Sequence, residues 1–299
     1  MNEAQALARI AALRCWSGAL QIVPLPGGMT NRNYRVEHEG AHFAVRLGED
    51  IPAHGVMRFN ELAAARAAHA AGISPEVVFA GAGVSVSRFI EGRTLEPQDL
   101  HDARRLPAVV DLLRRCHGDI PKFLRGPVLM FWVFQVIRSY VALLRETPGH
   151  LLLEQLPGLE HMAQRLESGV GPVDIVFGHN DLLAANFLDD GRRLWLIDWD
   201  YAGFNSPLFD LANLSANNAF DAAQDAALLA CYFRRPVDDA GWRTFETMKC
   251  ASLLREVLWG AVSHGTSTID FDYAAYAVLW LERVYAQWSK LGADDASFR

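Results

Sequence analysis

The sequence predicts an α+β protein with two lobes, a small β-rich N-terminal lobe over 1–90 and a large, mostly helical C-terminal lobe over 91–299. At 299 residues with 51% hydrophobic content, the chain can bury a sizeable core and divide it between two lobes. Short strand-like runs are concentrated before the Glu91-Gly92-Arg93-Thr94 segment, whereas helical periodicity dominates after it. That segment is therefore the predicted boundary between the lobes.

The N-terminal lobe is predicted as a small sheet plus one long helix, preceded by an amphipathic helix. The Glu39-Gly40 pair separates two strand-like runs and is typical of a hairpin turn. Gly72 ends a segment rich in alanine, leucine, glutamate and arginine, as glycine often does at the C-terminus of a helix. The predicted segments are, in order, helix 2–14, strand 34–38, strand 42–47, helix 56–71, strand 76–80 and strand 84–90.

The C-terminal lobe is predicted from helical periodicity and from two strand-like apolar runs. Apolar residues around Phe177 and around Leu196 each precede an acidic segment, which predicts acidic side chains in exposed loops at strand ends. Asp210 precedes a helix, where capping of the helix N-terminus is the simplest interpretation and bracing of a neighbouring loop is the alternative. The predicted helices are 102–116, 130–145, 158–167, 207–218, 221–233, 241–262 and 272–290.

The composition argues against several classes of protein. A net charge of −7 and a pI near 5.8 disfavour a general nucleic-acid binder, so phosphate binding would depend on a local group of donors. The four cysteines are scattered without a CxxC pair, which predicts reduced thiols in a cytoplasmic protein and neither a disulfide frame nor a zinc site. The longest uncharged apolar run, 126–137, is too short to cross a bilayer. We therefore expect a soluble protein without a signal peptide.

The segment His179-Asn180-Asp181-Leu182-Leu183-Ala184-Ala185-Asn186 is the most informative in the chain. It places an amide five residues after an aspartate, and Asp198 follows that aspartate by seventeen residues. Phosphoryl transfer from ATP uses such a set, in which one carboxylate takes the proton of the acceptor hydroxyl while an amide and a second carboxylate hold magnesium ions. The spacing matches the H-x-D-x-x-x-x-N pattern of kinases. We therefore predict Asp181 as the general base and Asn186 and Asp198 as ligands of Mg²⁺.

Two neighbours of these residues, Asp200 and His179, are assigned roles separately. Asp200 is a candidate for the same metal site, and capping of a turn before Gly203 is the alternative. His179 is expected to pack within its loop, because isolated His-x-Asp motifs are common.

The segment Gly27-Gly28-Met29-Thr30-Asn31-Arg32-Asn33 is the candidate phosphate loop. Two glycines let the backbone approach a phosphate, and the Thr30, Asn31 and Asn33 side chains can add donors. An ordinary turn before a strand explains the segment when it is taken alone. The G-x-x-x-x-G-K-[ST] spacing is absent, which disfavours a Walker-type fold. We predict that Gly28 and the three polar residues contact the nucleotide.

Arg46 lies on a predicted strand, and Glu61 lies fifteen residues later on a predicted helix. Kinases pair a strand cation with a helix glutamate to hold the phosphates of ATP. The cation here is arginine where lysine is commoner, and its planar fork suits bidentate phosphate contact. Taken singly, each residue reads as an ordinary surface charge, but together with the downstream acids they favour a phosphate-binding pair.

Several short motifs occur in a fixed order along the chain. They are Gly27-Gly28-Met29-Thr30-Asn31 to Tyr34, Arg58 with Glu61, Gly72-Ile73-Ser74-Pro75, Phe89-Ile90-Glu91-Gly92-Arg93, His179-Asn180-Asp181 and Ile197-Asp198-Trp199-Asp200-Tyr201-Ala202-Gly203. In these motifs, between Leu25 and Tyr285, the chain resembles the choline/ethanolamine kinases, a branch of the aminoglycoside-phosphotransferase-like superfamily. The resemblance implies a bilobal protein-kinase-like fold, ATP as donor, Mg²⁺ as cofactor and a small hydroxyl compound as acceptor.

The resemblance implies the same roles for the residues already named, with Asp200 added to the metal ligands. It also implies that the linker at Arg88, Phe89 and Ile90 binds adenine through its backbone.

The acceptor site is where the resemblance is weakest. A quaternary ammonium acceptor needs an aromatic cage and a carboxylate, and Trp259 and Tyr276 lie where the family supplies cage aromatics. Two positions depart from the family, since a usual glutamate is Asn217 and a usual tryptophan three residues before Trp259 is Glu256. These four residues are the predicted acceptor-binding set, although tryptophans on helices more often pack in a core. The set favours a less methylated amino alcohol over choline.

The leading prediction is thus an ATP-dependent phosphotransferase acting on the hydroxyl of a small amino alcohol. The same chemistry on an aminoglycoside or a thiamine-like alcohol is the alternative. A nucleotide-binding regulator without catalysis would typically lack Asp181, Asn186 or Asp198, and all three are present. A protein-substrate kinase is disfavoured because no A-P-E motif bounds an activation segment. The sequence leaves the oligomeric state open.

Overall fold

The N-terminal part of the computed structural model is an antiparallel five-stranded sheet with one helix before it and one inserted in it. The structure describes residues 1–26, 31–267, 269 and 271–292. The elements are α1 (Glu3–Ala11), β1 (Gln21–Leu25), β2 (Arg32–His38), β3 (Ala41–Leu47), α2 (Arg58–Ala70), β4 (Val77–Gly81) and β5 (Val84–Arg88). The strand order is β1-β2-β3-β5-β4.

The predicted hairpin is confirmed in β2 and β3. Glu39 and Gly40 at its tip both have positive φ, 51° and 74°, as a two-residue hairpin turn requires. The strand β1 was not predicted, because it lies at the sheet edge, contains Pro24 and is mostly exposed, so it carries no apolar alternation.

Two hydrophobic cores divide the molecule. In the smaller core, Ala6 and Ile10 of α1 pack on the sheet residues Tyr34, Val36 and Phe43. The buried alanines of α2 (Ala64, Ala67, Ala68) belong to the larger core, where α2 contacts the first long helix of the C-terminal part. The helix that carries Glu61 is therefore anchored on the helical region and also contacts β4 of the sheet.

The C-terminal part combines short strands with seven long helices and one short one among the described residues. Its elements are β6 (Arg93–Thr94), α3 (Pro97–Leu100), α4 (Leu106–Phe123), α5 (Val133–Arg145), α6 (Leu156–Val170), β7 (Val176–Gly178), β8 (Phe187–Asp189), β9 (Leu194–Leu196), β10 (Gly203–Asn205), α7 (Pro207–Asn217), α8 (Ala222–Phe233), α9 (Asp239–Thr266) and α10 (Tyr273–Lys290). The strand β10 pairs with β7, and β6, β8 and β9 form a three-stranded sheet.

The helix α9 is the centre of the larger core. It has 28 residues, is buried without interruption over 247–263, and packs against α5, α6, α7 and α10. A helix surrounded in this way has no exposed face in its middle, so the buried polar side chains there, such as Lys249, Arg255 and Glu256, need partners.

The predicted fold class is confirmed, as are the positions of most predicted helices. One prediction was misplaced: the helix expected over 102–116 begins at Leu106, where Pro107 fits the first turn, and continues to Phe123 because Ile120 is buried. No helix in the described part of the chain is long and apolar enough to cross a bilayer.

Candidate active site

The loop after β7 carries His179, Asn180 and Asp181, and a buried aspartate of α7 fixes its backbone. Asp210 accepts hydrogen bonds from the backbone N–H groups of His179 (2.8 Å) and Asn180 (2.7 Å) and is paired with His117 Nε2 at 2.9 Å. Burial acts to raise the pKa of Asp210, but the bonds and charges of the two histidines hold it below its usual value. The capping interpretation of Asp210 was wrong, because Ser206 caps α7.

Asp181 projects from this loop into a small cavity. Its Oδ1 lies 3.6 Å from Arg255 Nη1. Burial raises the pKa of Asp181 to about 8; Arg255 opposes this, while Glu256, Asp198 and Asp200 add to it. Burial thus favours the protonated form of this carboxyl group, and the positive charge of Arg255 favours the ionised form.

Asn186 and Asp198 lie beside Asp181 at the ends of neighbouring short strands. Asn186 Nδ2 donates to the backbone carbonyl of Asp181 at 2.8 Å, and the Asn186 carbonyl accepts from Ile197 N–H at 3.0 Å. Asp198 has φ of 67°, a conformation that an L-residue adopts only when its surroundings enforce it. This backbone turn aims the Asp198 carboxylate at the same cavities as Asn186.

Two arginines and three carboxylates form an ion cluster between the sheet and the loops, and we name Arg46, Arg58, Glu61, Asp198 and Asp200 the donor-side cluster. The distances are 2.8 Å from Arg46 to Glu61, 2.9 Å from Arg46 to Asp198, 2.8 Å from Arg46 to Asp200, and 2.7 Å from Arg58 to both Glu61 and Asp200. Burial acts to lower the pKa of Arg46, but the three carboxylates raise it well above its usual value, so the guanidinium stays charged. The predicted Arg46–Glu61 contact is present.

Asn31 and Asp200 are both tied into this cluster. Asp200 is 3% exposed and accepts from Asn31 Nδ2 at 3.1 Å, and Asn31 Oδ1 accepts from Arg58 at 2.8 Å. Asn31, predicted to contact the nucleotide, lines the smaller cavity and not the larger one. Gly28 and Thr30, also predicted to bind nucleotide, lie outside the described residues.

The larger cavity, of about 660 Å³, lies between the sheet and the C-terminal part. The predicted nucleotide-binding residues that line it are Asn33, Arg46, Glu61, Arg88, Phe89 and Ile90. The N–H groups of Arg88 and Phe89 are already used, since they donate to the carbonyls of Glu76 (2.9 Å) and His42 (3.0 Å). Of the three linker N–H groups, only that of Ile90 has no acceptor among the described residues.

The smaller cavity, of about 190 Å³, has aromatic walls. Trp259 Nε1 donates to Tyr201 Oη at 2.8 Å, Tyr276 Oη donates to Glu256 Oε2 at 2.8 Å, and the Trp259 and Tyr276 rings are 5.5 Å apart. The polar atoms of the aromatic side chains are therefore bonded to each other or to Glu256, and one face of the Tyr201 ring is covered by the guanidinium of Arg255.

The two cavities meet at a shared wall. Asn33, Ala185, Asn186 and Asp198 line both of them, and Asp181 lines the smaller one beside this wall. A ligand in one cavity therefore lies next to a ligand in the other across a carboxylate and an amide.

The sequence profile of the choline/ethanolamine kinases matches residues 22–232 of the chain. The chain belongs to this family. It is 31% identical over 192 residues to Protein LicA of Haemophilus influenzae, an alignment that covers 63% of this chain but only 56% of that protein. It is 25% identical over 283 residues to a probable ethanolamine kinase of Arabidopsis thaliana, covering 85% of this chain and 75% of the relative.

A solved structure agrees with the family assignment over the whole chain. A choline/ethanolamine kinase family protein from Mesorhizobium loti superposes with a TM-score of 0.77 at 29% identity, covering 100% of this chain and 97% of that one. The predicted family and the predicted kinase-like fold are both confirmed.

The acceptor residues expected from the family resemblance are only partly brought together. Glu256, Trp259 and Tyr276 line the smaller cavity, but Asn217 lines neither cavity. Its side chain lies on α7 and donates to Asn213 Oδ1 at 3.3 Å, because this turn of α7 faces α9 and the core. Asn217 does not, in this arrangement, replace a cavity carboxylate.

Sequence reasoning missed Arg255. This side chain is 1% exposed and lines the smaller cavity, and its Cζ lies 4.2 Å from the centroid of the Tyr201 ring. Its Nη1 pairs with Glu256 Oε1. One signal was available: adjacent opposite charges within 250–263, a run that is otherwise uncharged, indicate a buried pair.

Proposed function

We propose that this protein transfers the terminal phosphate of ATP to the hydroxyl group of a small amino alcohol of the choline/ethanolamine class. The observation that carries the proposal is the shared wall of two cavities of different size. The larger cavity suits a nucleotide and the smaller a compact acceptor. Asp181, Asn186 and Asp198, the residues with kinase spacing, lie at that wall.

In this proposal ATP occupies the larger cavity, with its adenine at the linker between the lobes, which we divide at 90/91. The linker carbonyls and the Ile90 N–H are the backbone groups available to the base. Arg46 holds the phosphates, oriented by Glu61, and exchanges its contacts with Asp198 and Asp200 for phosphate oxygens. Gly28, Thr30 and Asn33 add donors at the phosphate end, whereas Asn31 supports Asp200 and Arg58.

Mg²⁺ is proposed as the cofactor, held by Asn186 and Asp198 with Asp200 as a further ligand. No group of three or more His, Cys, Asp or Glu side chains in the described ranges has the geometry to hold a metal without help. The donor set nevertheless fits Mg²⁺, which is usually held by one or two carboxylates while phosphates and water complete its octahedron. When bound there, the ion neutralises charge on the transferred phosphoryl group.

Asp181 is the proposed general base. It accepts the proton of the acceptor hydroxyl as the hydroxyl oxygen forms a bond to the terminal phosphorus, and the bond from that phosphorus to the leaving ADP oxygen breaks. Asp210 holds the backbone beside Asp181, which fixes the position of the carboxylate without touching a substrate.

The acceptor proposed for the smaller cavity is a primary or partly methylated amino alcohol. Its volume of about 190 Å³ is below the roughly 300–1,000 Å³ of pockets for drug-sized ligands, which argues against an aminoglycoside of several rings. Aromatic side chains from Trp259 and Tyr276 suit a cationic head group, whereas one face of the Tyr201 ring is already covered by Arg255. The aromatic cage around the head group is incomplete. Because the trimethylammonium group of choline depends on aromatic enclosure more than the ammonium group of ethanolamine does, the cavity favours the less methylated acceptor.

A cytoplasmic location is also proposed. Cys15, Cys116, Cys231 and Cys250 are all free thiols in the structure, which suits a reducing compartment.

The test is an assay of ATP consumption against ethanolamine, its mono- and dimethyl forms, choline, thiamine and an aminoglycoside, with the phosphate ester identified by phosphorus NMR. We expect a phosphomonoester from the amino alcohols and none from the aminoglycoside. Binding of ATP without turnover of any alcohol would refute the proposal in favour of a non-catalytic nucleotide-binding protein.

A further inference from the structure

Arg255 and Glu256 form a buried pair on one wall of the smaller cavity, and we name these two residues the wall pair. Arg255 is 1% and Glu256 5% exposed. Each is held from a second side, since the guanidinium lies against the Tyr201 ring and the other Glu256 oxygen accepts from Tyr276 Oη at 2.8 Å. Both oxygens of Glu256 are therefore occupied before any acceptor arrives.

The charged side chains around the smaller cavity show that this pairing cancels the negative charge of Glu256. Arg255 is the one described cation within ion-pair distance of Glu256, and it is also 3.6 Å from Asp181. Burial acts to lower the pKa of Arg255, but Glu256, Tyr201, Tyr140 and Asp181 raise this pKa well above its usual value. The guanidinium therefore stays positively charged. The wall pair has a net charge of zero, and Asp181 remains as the acid beside it.

We propose that Arg255 is a specificity-determining residue, which neutralises Glu256 so that the preference for a cationic over a neutral acceptor depends on the net charge of the wall pair. The proposal rests on the proposed function and names the residue that sets its substrate class. Glu256 alone would be a strong counter-charge for any ammonium group in a cavity of low dielectric. With Arg255 in place, the ammonium group finds its counter-charge in Asp181 and the aromatic faces, and the wall adds shape without charge.

The unsatisfied groups of Arg255 are consistent with this role. Its Nε and Nη2 atoms are buried and have no hydrogen-bond partner among the described residues. Because a buried unpaired donor is costly, these N–H groups are available to a ligand or to water in the cavity that Arg255 lines. Here the side chain is held by its charge and by its stacking on Tyr201, which places the charge beside Glu256.

The experiment compares ethanolamine with 1-propanol, a neutral alcohol of the same number of heavy atoms. For each protein the ratio of the two kcat/KM values is measured at saturating ATP. A loss of activity common to both alcohols cancels in this ratio, so a purely structural effect of a substitution does not move it. The proteins are the wild type, Glu256→Gln, Arg255→Met, the double variant Arg255→Met/Glu256→Gln, and a matched control, Arg145→Met/Glu160→Gln, which removes an Arg–Glu pair that lines neither cavity.

The ratio is expected to follow the charge of the wall pair. Glu256→Gln leaves a charge of +1 and lowers the preference for ethanolamine by about ten- to a hundredfold, the effect of one charge some 6–10 Å away at an effective dielectric near 20. Arg255→Met leaves −1 and raises the preference. The double variant returns the charge to zero, and its ratio returns towards the wild-type value. The control pair leaves the ratio unchanged.

The double variant is decisive, because it removes both charges of the wall pair at once, and the loss of the Arg255 contact with Asp181 is shared with Arg255→Met, which serves as its reference. If its ratio stays as low as that of Glu256→Gln, Glu256 alone binds the ammonium group and the proposal is wrong. A ratio that is equal in all variants also overturns it. A wild type that phosphorylates neither alcohol refutes the proposed function instead. In that case ethanolamine binding measured by calorimetry in the same proteins still tests the wall pair, and an order of affinities that does not follow the charge, or no binding at all, counts against it.

Discussion

The two cavities are built on the same electrostatic principle with different surroundings. In the donor-side cluster, two arginines face three carboxylates, a net charge of −1. Around the smaller cavity, Arg255 faces Glu256 and Asp181, which gives the same net charge of −1 when Asp181 is ionised. Each side therefore lacks one positive charge. On the donor side, the uncompensated negative charge is surrounded by hard oxygen ligands, which suits a metal ion. On the acceptor side, it is surrounded by aromatic rings, which suits an organic cation.

The comparison also separates fixed parts from adjustable parts. The donor-side cluster draws its members from β3, α2 and the loop after β9, so a change at one element disturbs several ion pairs. The wall pair consists of two neighbours on α9. If the wall pair has its proposed role, two substitutions in one helix would alter acceptor choice while all five residues of the donor-side cluster stay unchanged.

The largest effect is expected at the wall that both cavities share. Asp181→Asn should lower kcat by about 10²–10⁴, because the amide cannot take the acceptor proton. ATP affinity, measured by calorimetry, should stay close to that of the wild type, since Asp181 lines only the acceptor cavity. Full turnover by this variant would show that another group is the base.

The second-largest effect is expected in the donor-side cluster, at the proposed metal ligand Asp198. Asp198→Ala should abolish the tightening of ATP binding by Mg²⁺, because it removes a charged oxygen ligand. Calorimetric titration of ATP with and without Mg²⁺ measures this directly, and Asp239→Ala on the exposed start of α9 is the control. The same Mg²⁺ dependence in Asp198→Ala as in the wild type would place the metal elsewhere.

The third prediction tests whether the donor-side cluster acts as a unit. The effects of Arg46→Ala and Glu61→Ala on the Kd of ATP should be non-additive by about 0.5–3 kcal/mol, because the two side chains are 2.8 Å apart and share one ligand. Lys122 with Asp119 is a control cycle at an exposed pair, where little coupling is expected. Additive effects of Arg46→Ala and Glu61→Ala would show that Glu61 does not orient Arg46.

The donor side of the site could be predicted from the sequence more completely than the acceptor side. Asp181, Asn186 and Asp198 could be predicted because they follow short strands at fixed spacing, and local connectivity brings them to one wall. The directions in which Asn217 and Arg255 point could not, because they depend on how α7, α9 and α10 pack, although the adjacent charges of Arg255 and Glu256 indicate a buried pair. The strands β6, β8 and β10 have two or three residues each, too few for an apolar alternation to be recognised.

The smallest effect is expected at the aromatic wall of the acceptor cavity. Trp259→Leu keeps an apolar side chain but removes the ring face and the hydrogen bond to Tyr201. A cation–π contact contributes about 0.5–2 kcal/mol, so kcat/KM for choline should fall roughly two- to thirtyfold. Ethanolamine should lose less, since its ammonium group can donate hydrogen bonds to oxygens of the cavity, which a trimethylammonium group cannot do. The measurement is kcat/KM along the series from ethanolamine through its mono- and dimethyl forms to choline, with Trp242→Leu on the outer part of α9 as the control. An equal loss for all four acceptors would mean that Trp259 only supports Tyr201, and the organic cation would then have to be recognised by charge alone.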